Sequence, residues 1–375
     1  MTAPYWLEDA PPARADRRFE GPVDVAVVGG GVTGCACARV LAEAGLKVRL
    51  YEARQIAGGA SGRNGGFALR GGAAPYDVSV ESIGRERAVA YWRRTEEAVD
   101  RIEALAGDAF ARTGSLRLAA DDEEAEALRR EYELLREDGF AVEWRPELDD
   151  PVKPLFAAAM FHPPDGAVQP ARWVRRLAAH AAEAGADLRE ETRVDSLDEL
   201  QAEQVVVATD GYPSGLLGAL EGLIIPTRGQ MIATEPLPER LFDCPHYSRH
   251  GFDYWQQRED GRILAGGFRD TALDDEFTTS EETTAAIQAS LEQLVCDLVG
   301  WPVVTTHRWA GLFGFVPDFM PVVGRVPGEE RLWVSGGYSG HGMVLGFMCG
   351  ELVGNAILGR DAPDLDLFDP ARLLG

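Results

Sequence analysis

Three glycines and one acidic residue near the start of the chain could together hold a dinucleotide. Gly29, Gly31 and Gly34 match the pattern G-x-G-x-x-G in the stretch GGGVTG, and Glu52 follows 18 residues after Gly34. In this pattern the first glycine permits a tight turn, the second lets a diphosphate approach the main chain, and the third lets a helix pack on a strand. The Glu52 carboxylate can accept ribose hydroxyls. These residues indicate a dinucleotide-binding turn rather than a glycine-rich turn without a ligand.

A second glycine-rich stretch, GGASGRNGG at residues 58–66, follows a strand-like run by five residues. Glycines let the main chain approach a ligand closely, and Ser61 and Asn64 offer hydrogen-bonding side chains there. Taken alone, this stretch is equally typical of a surface linker, in which Arg63 is a solvated charge. Beside the turn at 29–34, it is predicted to contact the same ligand.

Hydrophobic patterns predict the elements that position these residues. The apolar run at 23–30 does not alternate, which is typical of a strand buried on both faces of a parallel sheet. A helix is predicted at 32–45, and a second strand follows it, so the chain begins with a β-α-β unit. Another buried strand is predicted at 205–212, and a helix at 169–185. Residues 223–270 alternate as antiparallel strands do.

The order of these elements predicts an α/β protein, more specifically an α+β chain of two interleaved domains. A Rossmann-like cofactor-binding domain alternates along the chain with an antiparallel-sheet domain for the substrate. The predicted ranges are 1–80, 146–220 and 319–375 for the cofactor-binding domain, and 81–145 and 221–318 for the substrate-binding domain.

Composition narrows the classes of function. The formal net charge of -24 argues against nucleic acid and anionic membrane surfaces as partners. The five cysteines form no C-x-x-C pair, which indicates reduced thiols in a cytoplasm. The N-terminal stretch lacks the apolar core of a signal peptide, and no apolar run reaches the roughly 18 residues of a spanning helix. We therefore expect a cytoplasmic protein with no membrane or nucleic-acid partner. The six histidines are not in metal-ligand spacing, so no metal site is predicted.

Several motifs in one order resemble a known family. They are YWLEDAPP, VDVAVVGGGVTG, VRLYEA, GGASGRNGG, IIPTRGQMIATEP, RWAGLFGFVPDFMPVVG and GGYSGHGM, and they span residues 5 to about 360. The chain resembles the FAD-dependent amine and amino-acid oxidoreductases of the D-amino acid oxidase, glycine oxidase and sarcosine oxidase family. It is most similar to the gamma-glutamylputrescine oxidoreductase branch. The resemblance implies FAD, rather than NAD, as the cofactor.

The resemblance also implies which residues hold FAD. The ADP half is expected at Gly29, Gly31, Val32, Thr33, Gly34, Glu52 and Ala53, with Val194 at the adenine and Ala208 and Thr209 at a neighbouring strand end. The diphosphate and flavin ring are expected along Ser61, Arg63, Asn64, Gly65 and Gly66. The pyrimidine end of the flavin is expected at Gly337, Tyr338, Ser339, Gly340, His341, Gly342 and Met343. There a glycine-rich loop opens a helix, whose N–H groups can stabilise the negative charge of reduced flavin.

The substrate side departs from the family pattern. Members that act on alpha-amino acids often carry a carboxylate-binding arginine where this chain has Phe313, and the related YY-R pattern becomes Tyr254, Trp255 and Gln256. Losing that partner disfavours a free alpha-amino acid. Phe313, Tyr254 and Trp255, with Trp309, could instead form an aromatic pocket for an alkylamine, or they could be core of the sheet.

Other charged residues of the substrate side have open roles. Arg63, Arg70 and Arg228 are alternative anion partners. His341 could act as a catalytic base, or it could prop its turn and bond the cofactor.

Two further departures bear on the flavin. Members that attach flavin covalently use a cysteine where this chain has Gly311, and the cysteine nearest in sequence, Cys296, is in a predicted helix, so non-covalent FAD is expected. The oxygen-activating lysine of those members corresponds to Ala265, which leaves the electron acceptor open between oxygen and another acceptor.

The function expected from these residues is FAD-dependent oxidation of a C–N bond in a polyamine-like or secondary amine. Hydride passes to flavin N5, the imine hydrolyses to aldehyde and amine, and oxygen is reduced to hydrogen peroxide. No strong side-chain base is obligatory for this chemistry. The alternatives are an FAD-dependent dehydrogenase of an amino acid or hydroxy acid with another acceptor, a flavin-binding protein without turnover, and an NAD-dependent dehydrogenase.

Overall fold

The structure is a computed structural model that describes residues 3–8, 10–13 and 19–374. In this part of the chain the α-helices are α1 (Tyr5–Glu8), α2 (Val32–Glu43), α3 (Tyr76–Ile83), α4 (Arg85–Ala106), α5 (Asp122–Glu137), α6 (Pro170–Glu183), α7 (Leu273–Glu276), α8 (Ala285–Val299) and α9 (Gly342–Ile357).

The strands are β1 (Val23–Val28), β2 (Val48–Tyr51), β3 (Phe67–Ala68), β4 (Phe110–Ala111), β5 (Ser115–Ala119), β6 (Glu143–Arg145), β7 (Ala158–His162), β8 (Gly166–Val168), β9 (Asp187–Arg189), β10 (Ala202–Val207), β11 (Ile225–Thr234), β12 (His246–Ser248), β13 (Asp253–Gln257), β14 (Ile263–Gly266), β15 (Thr305–Phe315), β16 (Val322–Arg325) and β17 (Leu332–Gly336).

A six-stranded sheet carries the first β-α-β unit. Its strand order is β16-β17-β10-β1-β2-β9, and every pairing is parallel except that of β16 with β17. The apolar run of β1 is buried on both faces, as its lack of alternation predicts. Small residues let α9 pack closely on α2: a Cβ on Gly354 would lie 3.0 Å from Val40 Cγ1. Strand β10 ends at Val207, earlier than predicted, because Asp210 takes a positive φ of 48°.

An eight-stranded, mostly antiparallel sheet forms the second layer. Its order is β15-β11-β14-β13-β12-β5-β7-β6, and only β12 and β5 pair in parallel. The long strands β11 and β15 pair with Gly229 opposite Gly311. One face of the sheet packs on α8 through Ile287 and Leu291, which are fully buried. The other face turns toward the carboxyl ends of the parallel strands.

The two sheets confirm the predicted fold class, an α/β chain in which a Rossmann-like unit is interleaved with an antiparallel sheet. Strand β7 pairs with β5 and β6 in the eight-stranded sheet, although it lies within the range 146–220 that the sequence assigns to the cofactor-binding domain. A small sheet pairs β8 with β3 and β4, one strand from each of the ranges 146–220, 1–80 and 81–145. Within the described residues, no helix is both long and apolar enough to cross a membrane.

Candidate active site

A cavity of about 690 Å³ lies between the carboxyl ends of β1, β2 and β10 and the open face of the eight-stranded sheet. In open α/β sheets this edge is where ligands bind. Most of the residues predicted from the sequence line it. They are Gly29, Gly31, Val32, Thr33, Glu52, Ala53, Ser61, Arg63, Asn64, Gly65, Val194, Ala208, Thr209, Tyr254, Phe313, Tyr338, Ser339, Gly340, His341, Gly342 and Met343.

Three predicted glycines lie behind the wall of the cavity. A Cβ on Gly34 would overlap the carbonyl oxygen of Gly29, so this glycine lets α2 pack on β1. The N–H of Gly66 donates to Asn64 Oδ1 at 2.8 Å, and the N–H of Gly337 donates to Asp210 Oδ1 at 2.8 Å. These three positions shape the loops and do not line the cavity.

Trp255 does not belong to the aromatic pocket. Its side chain is fully buried on the far face of the sheet, stacked on His246 with ring centroids 5.4 Å apart. Successive residues of a strand point to opposite faces, so Tyr254 reaches the cavity and its neighbour cannot. Trp309 is likewise buried, and its indole N–H donates to the Arg63 carbonyl. The pocket prediction is therefore wrong for Trp255, and core packing explains it.

The turn at 29–34 has the shape that a diphosphate needs. Gly29 has a φ of +115°, and a Cβ there would lie 2.5 Å from the Ala208 carbonyl oxygen, so only glycine fits. Ser61 Oγ accepts the N–H of Val32 at 2.9 Å, which satisfies one of the free donors at the start of α2. The other first-turn N–H groups of the helix stay available to an anion.

Glu52 stands at the end of β2, oriented by two main-chain donors. Its Oε2 accepts the N–H of Gly30 and its Oε1 accepts the N–H of Arg54, both at 2.7 Å. Burial raises the pKa of Glu52 above its ordinary value, and these hydrogen bonds oppose that shift. Each carboxylate oxygen has a second lone pair, so the fixed group can still accept ribose hydroxyls.

The polar side chains of the 58–66 loop hold the loop itself. Arg63 Nε donates to the Gly58 carbonyl at 2.8 Å, and Nη1 donates to the Ala310 carbonyl at 3.0 Å. Asn64 Nδ2 donates to the carbonyl oxygens of Ala60 and Ser61, at 3.1 and 3.2 Å. Asn64 lines the cavity, and its Nδ2 is occupied inside the loop, so Oδ1, which accepts one N–H from Gly66, is the atom it has left for the ligand.

Glu281, which sequence reasoning missed, joins the loop to its surroundings. Its Oε1 accepts Tyr212 Oη at 2.7 Å and Arg54 Nη1 at 3.0 Å, and Arg63 Nε lies 3.8 Å away. Burial alone would raise the pKa of Glu281, but the hydrogen bonds from Arg54 and Tyr212 outweigh it and lower that pKa. Glu281 precedes α8 in a polar stretch without motif spacing, so nothing in the sequence marks it.

The 337–343 loop is pinned in a strained shape. Ser339 and Gly340 have φ values of 49° and 95°. The Tyr338 hydroxyl lies 2.9 Å from Thr33 Oγ1 and 2.9 Å from Ser335 Oγ, so it ties α2 to β17. The start of α9 then faces the cavity with its first-turn N–H groups.

His341 is neutral at physiological pH. Burial lowers its pKa to about 4, and the positive charges of Arg117 and Arg269 act in the same direction. A neutral imidazole with so low a pKa is a weak proton acceptor. This low pKa disfavours the hypothesis that His341 acts as a base.

The end of the cavity formed by Tyr254 and Phe313 is aromatic, and the Arg269 guanidinium lies against its rings. Tyr254 packs edge-to-face on Phe67 with ring centroids 5.9 Å apart. The Arg269 guanidinium carbon lies 4.5 Å from the Phe252 ring centroid and 5.4 Å from that of Phe313. Burial raises the pKa of Tyr254 to about 12, so its phenol stays protonated. Sequence reasoning missed Phe252 and Arg269, which follow strands without any motif spacing.

Comparison with known proteins identifies the family. A family described as "FAD dependent oxidoreductase" (DAO) matches residues 24–356, nearly the whole chain. The chain belongs to the DAO family of FAD-dependent oxidoreductases. The resemblance drawn from the sequence motifs is thereby confirmed, as is FAD as the cofactor.

Individual relatives agree with this assignment. The chain is 29% identical to "Probable oxidoreductase OrdL" of Rhizobium meliloti over 93% of this chain and 86% of the relative. It is 28% identical to the gamma-glutamylputrescine oxidoreductase of Escherichia coli over 92% of this chain and 85% of the relative. The crystal structure of glycine oxidase from Geobacillus kaustophilus superposes with a TM-score of 0.74 at 25% identity, covering 93% of this chain and 98% of that one.

This DAO-family oxidoreductase offers no thiol to the flavin in the described part of the chain. Its five cysteines are unpaired and none lines the cavity. Gly311 does line it, but a Cβ there would lie 2.8 Å from Arg63 Cβ, so a longer side chain would displace the loop. Ala265 is fully buried in the sheet and lies outside the cavity.

Two of the arginines predicted as anion partners are occupied elsewhere. Arg228 is buried and pairs with Glu276, with Nη2 and Oε1 2.7 Å apart, outside the cavity. Arg70 lines the cavity, but its Nη1 lies 2.5 Å from Glu96 Oε1 and its Nη2 donates to the Ala141 carbonyl at 2.8 Å. Neither guanidinium is available as the main anchor of a substrate.

Proposed function

We propose that this FAD-dependent oxidoreductase oxidises a C–N bond in a small amine and holds its FAD non-covalently. One observation carries the proposal: the aromatic wall of Tyr254 and Phe313 and the 337–343 loop line one continuous cavity. That arrangement supports a substrate pocket next to the flavin that the 337–343 loop is expected to hold. Its relatives named as acting on an amine or amino acid, gamma-glutamylputrescine oxidoreductase and glycine oxidase, support the same class of reaction.

FAD held by the turn at 29–34, the 58–66 loop and the 337–343 loop would supply a hydride acceptor for the carbon next to the amine nitrogen. The chain's contribution is orientation and a dry pocket. The aromatic rings of Phe313 and Tyr254 line the pocket and exclude water from it. The amine enters in its neutral form after giving its proton to solvent, so the chain needs no charged base. The N–H groups at the start of α9 stabilise the negative charge that the reaction brings to that end of the cavity.

The oxidised substrate leaves as an imine, which water hydrolyses to an aldehyde and an amine. We propose oxygen as the electron acceptor, with hydrogen peroxide as its product. The alternative acceptor is supported by Ala265, since a lysine is absent where oxygen-activating relatives carry one. Both lysines, Lys47 and Lys153, are exposed and lie outside the cavity.

The test is anaerobic mixing of the purified holoprotein with polyamines, acylated polyamines, N-methyl amino acids, D-amino acids and glycine. Loss of the oxidised flavin spectrum with at least one amine is expected. A flavin that stays oxidised with every amine would support a binding protein without turnover. Aerobic turnover with peroxide supports the oxidase, whereas dye reduction without peroxide would assign a dehydrogenase.

We further propose that the protein works in the cytoplasm, since its five cysteines form no disulfide. The proposed domain division remains that predicted from the sequence, with cofactor-binding and substrate-binding segments interleaved.

A further inference from the structure

The arginines that line the cavity differ in whether they have a partner. Five of them pair with a carboxylate of the chain: Arg54 and Arg63 with Glu281, Arg70 with Glu96, Arg117 with Glu131, and Arg193 with Asp195. Among the described residues, Arg269 makes no hydrogen bond or ion pair. Its neighbour Asp270 is already paired with Arg249. One cationic group of the cavity wall is therefore left for a ligand.

The surroundings of Arg269 make this lack of a partner costly. The side chain is half-buried, and burial lowers the pKa of its guanidinium. A charge taken out of water without a counter-ion destabilises the fold, and a bound anion would offset that cost. The rings of Phe252 and Phe313 contact the guanidinium through cation–π interactions, which leave its N–H groups free to bond in its plane.

Arg269 is also placed where a substrate would be. It lines the same wall as Tyr254 and Phe313, and its charge influences the pKa values of both Tyr254 and His341. The guanidinium therefore borders the same cavity as the aromatic wall and the 337–343 loop, within reach of a small molecule bound there. Gly229 borders that space: the nearest atoms to a Cβ there would be Phe313 Cε1 and Tyr254 Oη, at 3.8 Å each, and Phe313 Cδ1 at 4.0 Å.

We propose that Arg269 binds the carboxylate of the substrate, which makes the substrate an amine that carries a carboxylate. This inference rests on the proposed oxidation of a C–N bond and narrows its substrate class. It replaces the expectation, drawn from Phe313, that an amino acid is disfavoured. The arginine that this chain lacks on β15 is supplied from the segment after β14, with its guanidinium carbon 5.4 Å from the Phe313 ring centroid. A bidentate guanidinium–carboxylate pair then fixes the direction of the amine.

A binding experiment tests the role of Arg269 without turnover. Benzoate is titrated into the holoprotein and followed by the change in flavin absorbance, with benzamide as the neutral probe of the same shape. Arg269→Gln is expected to weaken benzoate binding about 10- to 100-fold, as loss of a charged hydrogen-bonded pair does, and to leave benzamide binding unchanged. Arg269→Lys is expected to bind benzoate more tightly than Arg269→Gln and less tightly than the parent protein. Lysine keeps the positive charge but lacks the two parallel N–H donors of the guanidinium.

Arg240→Gln is the matched control, since it removes the same charge from an exposed pair with Asp243. It is expected to bind benzoate as the parent protein does. Equal benzoate affinity in Arg269→Gln and the parent would overturn the inference.

A second experiment separates this inference from the proposed function. Anaerobic flavin reduction is measured for the pairs N-methylglycine and dimethylamine, and 4-aminobutyrate and propylamine, which differ in the carboxylate. Arg269→Gln is expected to lower the efficiency of reduction by the carboxylate member of an active pair by about 10-fold or more.

The outcomes are distinguishable. If amines reduce the flavin but benzoate binding is indifferent to Arg269, the inference fails and the function stands. If no amine reduces the flavin while benzoate binding depends on Arg269, the anion site stands and the proposed function fails.

Discussion

The two ends of the cavity are built on different principles. At the nucleotide end, charged and polar side chains such as Glu52, Arg63 and Glu281 are bonded to the chain itself, and the ligand is left mainly the main-chain groups of the turn at 29–34. At the substrate end the wall is aromatic, and Arg269 is left unpaired among the described residues. The nucleotide end is a site whose side chains are already held by the chain and which binds one permanent ligand. The substrate end has a guanidinium, unpaired in the described part of the chain, that can bind a molecule that enters and leaves.

The largest expected effect breaks the nucleotide end. Arg63 Nε lies 3.8 Å from Glu281 Oε1, so Arg63→Glu places a second carboxylate beside that of Glu281. The substitution also leaves the carbonyl groups of Gly58 and Ala310 without their hydrogen-bond donor. We expect the free energy of unfolding to fall by about 3–5 kcal/mol and most of the FAD to be lost on purification. The flavin-to-protein absorbance ratio and denaturant unfolding measure both effects.

The control for that variant is Arg240→Glu, which makes the same change of charge at an exposed pair. Purification of Arg63→Glu with a full complement of flavin would show that the 58–66 loop is a surface linker.

A smaller loss of stability is expected when the nucleotide end loses the Glu281 carboxylate. Glu281→Gln removes the charge that Arg54, Arg63 and Tyr212 meet, so the free energy of unfolding of the holoprotein should fall by about 2 kcal/mol and FAD should bind more weakly. Urea unfolding and FAD titration of the apoprotein provide the values. The matched control is Glu282→Gln at the exposed residue next to Glu281, which should change neither the free energy of unfolding nor FAD affinity. A Glu281→Gln protein as stable as the parent would show that Glu281 does not stabilise the nucleotide end.

The two faces of β13 should respond differently. Trp255→Phe leaves a cavity in the core and should lower the free energy of unfolding by about 1–2 kcal/mol, while benzoate affinity stays unchanged. Tyr254→Leu should weaken benzoate binding and change the free energy of unfolding less, because Tyr254 lines the cavity. Weaker benzoate binding in Trp255→Phe, with Tyr254→Leu unaffected, would contradict this assignment of faces.

The smallest effect is expected from His341. Its pKa of about 4 means that the ring gains a proton only as the pH falls through that value, and that it is neutral above about pH 5. His341→Gln should therefore keep the shape of the pH profile of flavin reduction between about pH 6 and pH 9. Loss of an inflection in that range would identify His341 as the titrating group after all.

The nucleotide end could be predicted because its information is local. Gly29, Gly31 and Gly34 lie in one turn, and the buried strands on either side are marked by apolar runs without alternation. The fold class followed from the same patterns. What the patterns could not supply was the direction of each polar side chain: Asn64 Nδ2 bonds its own loop, although the position of Asn64 in the sequence suggested the ligand.

The substrate end is assembled from residues far apart in the chain. Phe252, Arg269 and Phe313 come together only when β11 pairs with both β15 and β14, and β14 pairs with β13. None of the three residues has a characteristic spacing in the sequence. Trp255 was misplaced because a one-residue step along a strand changes the face, and the sequence pattern of β13 does not show which face is buried. Departure from a family pattern at Phe313 was visible, but its compensation by Arg269 was not.

The central claim is that flavin in this cavity takes its electrons from a C–N bond. The direct test is an anaerobic single turnover in which the holoprotein is mixed with the best amine carboxylate, and the reduced flavin, the carbonyl product and the released amine are all counted. We expect one molecule of carbonyl product and one molecule of released amine for each flavin reduced. Flavin reduction without release of an amine, or with oxidation of a hydroxyl group instead, would contradict it.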